Sequence, residues 1–85
     1  MKTKEFFGAN ILKAGILDTG SMGGDAGHGG RVFLQFVDLG GTDMHAYLYS
    51  ERGKKTIELE FLGDSERKTL IEALEFFLTE LKSKP

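Results

Sequence analysis

Apolar residues return at helical intervals near the end of the chain. Leu70, Leu74, Phe77 and Leu81, with Ile71 and Leu78 beside them, form one stripe over residues 64–82, while Arg67, Lys68, Glu72, Glu75 and Lys82 take the opposite side. Asp64 or Ser65 is the expected first-turn cap; Glu66 sits near the positive end of the helix dipole, and Lys82 and Lys84 near the negative end. A helix with one such stripe is expected to lie on an apolar surface.

Upstream the period changes to two, the mark of strands with one buried face. Lys55, Ile57, Leu59 and Phe61 alternate with Thr56, Glu58 and Glu60; Met44, Ala46 and Leu48 with Asp43, His45, Tyr47 and Tyr49; Val32, Leu34 and Phe36 with Phe33, Gln35 and Val37. From about Phe7 to Asp18 the pattern is mixed, but Gly8 and Gly15 weigh against a long helix, and the segment reads as a strand. The expected fold is α+β, a four-stranded antiparallel β-meander with one C-terminal helix packed on one face (ββββα), in a single domain over residues 1–85.

Matching apolar faces then sets the registers. A two-residue turn at Arg52-Gly53 pairs Leu48 with Ile57, Ala46 with Leu59 and Met44 with Phe61. A bulged turn at Leu39-Gly40-Gly41 pairs Phe36 with Met44, Leu34 with Ala46 and Val32 with Leu48. Under these registers Arg31, Arg52, Lys54, Lys55, Lys82 and Lys84 gather at one end of the sheet, against Asp18, Asp25 and Glu51. Asp38, Asp43, Glu60, Asp64 and Glu66 gather at the other. Phe33, Tyr47 and Tyr49 face away from the helix, where they serve either as cross-strand pairs or as an interface.

Composition narrows the function. The chain has 85 residues, 40% of them hydrophobic and 28% charged, which suits one small globular domain. Eleven Lys and Arg against thirteen Asp and Glu leave a formal charge of −2, which argues against a nucleic-acid binder. There is no cysteine, so disulfides, thiolate metal sites and thiol nucleophiles are excluded. No apolar run is long enough to span a bilayer, and Glu5, Asn10 and Lys13 interrupt the weak resemblance of the first residues to a signal peptide. The expectation is a cytoplasmic protein without a membrane contact.

Glycine marks the candidate site. Six of the twelve glycines fall within residues 19–30, a loop between strands far longer than a hairpin connection requires. Successive glycine N–H groups can turn into one concavity that suits an anion. Gly23, Gly24, Asp25, Gly27, His28, Gly29 and Gly30, with Arg31 and the Arg52, Lys54 and Lys55 tip, are the expected ligand-binding residues. No phosphate-loop or dinucleotide spacing is present, and a strand follows the loop in place of a helix. Asp25 and His28 are too few for a metal site, and the register keeps His45 away from them. Ser21, Asp25 and His28 share one loop and lack the rigid frame a catalytic triad needs. No metal or cofactor is expected.

The reading that follows is a small non-enzymatic binding or regulatory module. Its glycine loop and basic end would engage an anionic small ligand or an acidic protein surface, and a phage-type inhibitory or accessory protein is one setting for such a module. The alternatives are an assembly subunit that forms a homodimer through Phe33, Tyr47 and Tyr49, and a small hydrolase using Asp25 and His28.

Overall fold

The structure, a computed structural model, describes residues 1–8, 11–41, 44, 46–48, 51–54 and 56–84, with backbone only for 46–48 and 51–54. The elements are β1 (Lys2–Phe6), β2 (Ile11–Asp18), β3 (Arg31–Gly40), β4 (Ala46–Leu48), β5 (Glu51–Lys54), β6 (Thr56–Leu62) and α1 (Asp64–Ser83). The fold is α+β: a four-stranded antiparallel sheet of order β1-β2-β3-β6 followed by one C-terminal helix. β4 and β5 form a separate two-stranded ladder, an excursion between β3 and β6.

The strands that make the sheet differ from expectation at the start of the chain and between β3 and β6. β1 was hidden because Lys2, Thr3, Lys4 and Glu5 offer no apolar alternation. It is an exposed strand at the sheet edge, where lysines discourage pairing with another chain. It pairs with β2 in the register Lys2–Ile16, Thr3–Gly15 and Lys4–Ala14. Gly15 sits close to its neighbours there: a Cβ would lie 3.2 Å from the Met1 sulfur and 3.3 Å from the Thr3 methyl, so those side chains would have to shift by a few tenths of an ångström.

The segment expected as the third strand of the sheet is corrected. Leu48 pairs with Glu51 and Ala46 with Lys54, with a register shift between them, so Arg52 and Gly53 lie inside β5 and do not form the turn. The expected partners of Ala46 and Leu48, in β3 and β6, are therefore wrong. A bulged ladder tolerates an internal glycine, which is why Gly53 need not mark a turn. Leu39 and Gly40 likewise belong to β3, and Gly41, at φ +76°, takes the left-handed position after it. Asp43, His45, Tyr49 and Lys55 lie outside the described residues, as does the register expected of His45.

The chain divides into two compact units, Met1–Asp18 with Phe33–Glu60, and Thr19–Val32 with Phe61–Pro85. In the first, Gln35 Nε2 donates to Glu58 Oε2 at 3.2 Å, so these β3 and β6 side chains share a face. Phe33 is half-buried. Among the described residues the buried apolar side chains are Val32 and Leu70, both in the second unit. Leu74, Phe77 and Leu81, the expected core stripe of the helix, are exposed. The helical period identified the stripe, but period alone does not supply the surface that covers it.

Candidate functional site

The second unit contains the glycine loop and the helix, and the two are tied together at the helix start. α1 begins after Gly63, a residue with no side chain to cap the helix, and the first turn carries Asp64 and Glu66. A helix leaves its first N–H groups without partners inside the helix. Here the loop supplies the missing acceptor: Asp25 Oδ1 accepts from the Ser65 N–H at 2.6 Å. The expected cap from Asp64 or Ser65 is thus replaced by one from Asp25, forty positions earlier.

The first turn answers in kind. Asp64 Oδ1 accepts the N–H groups of Met22 at 3.0 Å and Gly30 at 2.8 Å, and its Oδ2 accepts that of Gly23 at 2.7 Å. Glu66 Oε1 accepts the Ala26 N–H at 2.9 Å. The arrangement is a capping box divided between two distant segments, each lending carboxylates to the other's backbone donors. Main-chain bonds complete it: Asp64 N–H to Gly24 O, Gly63 N–H to Gly30 O and Gly27 N–H to Leu62 O, at 2.8, 2.7 and 2.9 Å. At the loop's base the Thr19 N–H donates to Arg31 O, and the Arg31 N–H donates to Thr19 Oγ1.

The three N–H donors hold the Asp64 carboxyl below its ordinary value of 3.8, Met22 contributing most, with a smaller aid from the Arg67 charge. The concavity expected of the glycines therefore exists, and a carboxylate fills it. That carboxylate is the chain's own.

Glycine is needed here for two different reasons. Gly29, at φ +92°, has no room for a side chain, because a Cβ would run into Gly24 O and lie 3.0 Å from Asp64 Oδ1. Gly27, at φ +99°, faces open space. Alanine at either position costs about 1–3 kcal/mol for the left-handed backbone. Gly29→Ala is expected to cost more than Gly27→Ala, because it also forces Gly24 away. Thermal melts of the two variants check the order.

The described site residues expected from the sequence fall in both units. Gly23, Gly24, Asp25, Gly27, His28, Gly29, Gly30 and Arg31 lie in one unit, with Gly30 buried and the others exposed. Arg52 and Lys54 belong to β5 in the other unit, and Tyr47 to β4. The expected juxtaposition of the loop with Lys82 and Lys84 is overturned. The loop grips the first turn of α1, and Lys82 lies eighteen positions on, roughly 27 Å along the helix.

Asp64 and Glu66 are the members of the cluster that hydropathy cannot reveal. The available signal is chemical: a glycine before an acidic first turn, and elsewhere a loop rich in donors. Among the described residues no group of three or more His, Asp or Glu side chains is placed to hold a metal ion, and no helix is long and apolar enough to cross a membrane. Comparison with known proteins finds no matching family model, no matching curated protein and no matching solved structure.

Proposed function

We propose that the chain is a small non-enzymatic binding module that presents the clasped glycine loop and Arg31 to an acidic surface on another protein. The observation that carries this reading is that the loop is held along its inner edge by Asp64, Glu66 and Asp25, while residues 21–29 remain exposed. A loop fixed before binding loses little conformational freedom on binding, and exposed loops on a fixed frame commonly carry recognition. A free small anion is the weaker ligand, since the donors of Met22, Gly23, Ala26 and Gly30 already serve carboxylates of the chain.

The attraction then falls to Arg31, which is exposed at the start of β3 and can engage a carboxylate through two parallel bonds. The test is quantitative capture from a cell extract by the intact protein, Arg31→Ala and His28→Ala, at low and high salt. The expected result is a partner set enriched in acidic proteins that is lost with Arg31→Ala and at high salt, and weakened with His28→Ala. Identical partner recovery by all three proteins at both salts would overturn the reading.

A further inference from the structure

We propose that a lysine-flanked hollow on one face of β1, β2 and β3 binds a medium-chain fatty acid in its carboxylate form. The hollow lies within the first unit, so it goes beyond the loop-centred reading and uses a different surface. Alternation puts Lys2 and Lys4 on one face of β1, and their cross-strand partners Ile16 and Ala14 share that face. Leu34 and Phe36 of β3 complete the ring around a volume of about 270 Å³. The intervening Thr3, Gly15 and Gln35 turn to the opposite face: a Cβ on Gly15 would lie 3.3 Å from the Thr3 methyl and 3.4 Å from Gln35 Oε1. Ile16 and Phe36 are each 40% exposed, so the hollow is open to solvent.

The lining selects the occupant. Ala14, Ile16, Leu34 and Phe36 offer hydrocarbon, and the volume lies just under the ~300–1,000 Å³ usual for small-molecule sites, which suits a short single chain. The rim brings two ammonium groups and no carboxylate. Glu5 is on the other face of β1, directly opposite Lys13. Asp18 shares a neighbouring hollow with Lys2, but it lies roughly 13 Å along β2 from Ala14, the partner of Lys4. Asp38 turns to its own strand, where it accepts the Gly40 N–H at 3.0 Å. The Lys4 ammonium stands 4.9 Å from the centre of the Phe6 ring, a contact that keeps it on this face. A positive rim beside a hydrocarbon floor answers an anion carried on an apolar chain.

A nuclear magnetic resonance titration of the intact protein, with ligands kept below micelle formation, provides the test. Octanoate is expected to shift the Ala14, Ile16, Leu34 and Phe36 amides saturably. It should bind more tightly than hexanoate by up to about fourfold for each methylene. Octanol keeps the chain without the charge and is expected to bind roughly fivefold more weakly, the upper range for an exposed ion pair. Octyltrimethylammonium should bind more weakly still. Lys2→Gln/Lys4→Gln should lower octanoate to the level of octanol and leave octanol unchanged. Both lysines are exposed on an edge strand, so this variant is expected to keep the β1–β2 ladder, which the same spectrum reads. Ala14→Phe, which fills the hollow, should weaken octanoate and octanol alike. The proposal is overturned if octanoate gives no saturable shift at these amides, if octanol binds the unaltered protein as well as octanoate, or if Lys2→Gln/Lys4→Gln binds octanoate undiminished.

Discussion

Asp64→Ala is expected to release the glycine loop while leaving the strands in place. One carboxylate accepts from Met22, Gly23 and Gly30, so its removal strands three donors at once, two near the loop's beginning and one at its end. Hydrogen exchange should show the Met22, Gly23 and Gly30 amides losing most of their protection, with the Ser65 amide following as Asp25 is freed to move. Amides of the β1–β2 ladder should be unaffected, since that pairing belongs to the other unit. Asp64→Asn should fall between, because an amide keeps one acceptor oxygen but turns an NH₂ group toward a donor.

The same bond network sets the response to acid. The folded pKa of Asp64 is depressed, so its contribution is fully present above the ordinary value of 3.8 and is lost as pH falls through the lower folded value. Loop protection should therefore hold from neutral pH down to about 3.8 and collapse below it, whereas Asp64→Ala should show no such step. Loop amides that stay protected in Asp64→Ala would show that the main-chain bonds suffice and that the carboxylate is incidental.

The reach of the sequence can be judged from these same residues. The helix, β3 and β6 were legible because their side chains repeat with the period of the backbone that carries them, and β2 because Gly8 and Gly15 weigh against a helix. β1 was not, because a strand at a sheet edge with both faces wet needs no apolar alternation, and Lys2 to Glu5 show none. The β4–β5 ladder was misread because apolar matching offers several registers, and a bulge at Ala46–Leu48 removes the penalty for choosing among them. The loop was legible as a backbone concavity but not as an occupied one. Which carboxylate fills a set of donors depends on contacts 34 to 42 positions away in the chain, and neither composition nor period encodes that distance.

Leu70→Ala is expected to destabilise the chain by about 2–5 kcal/mol, the range for truncating a buried leucine. Phe77→Ala is expected to cost no more than about 1 kcal/mol, since only part of its transfer free energy is recovered on folding. The contrast comes from position along one helix: Leu70 is 8% exposed and Phe77 is 56% exposed, although both lie on the same stripe. Period alone assigns both to a core and gives the larger ring the larger cost. Burial reverses the order, because a cavity forms only where surrounding atoms would otherwise be in contact. Leu70 also follows closely on the turn that Asp25 caps, so a void beneath it should loosen the loop along with the helix. Chemical denaturation of the two variants at low concentration, read by circular dichroism, decides the matter. A Phe77→Ala loss equal to or greater than that of Leu70→Ala would show that the far half of α1 is covered within the single chain.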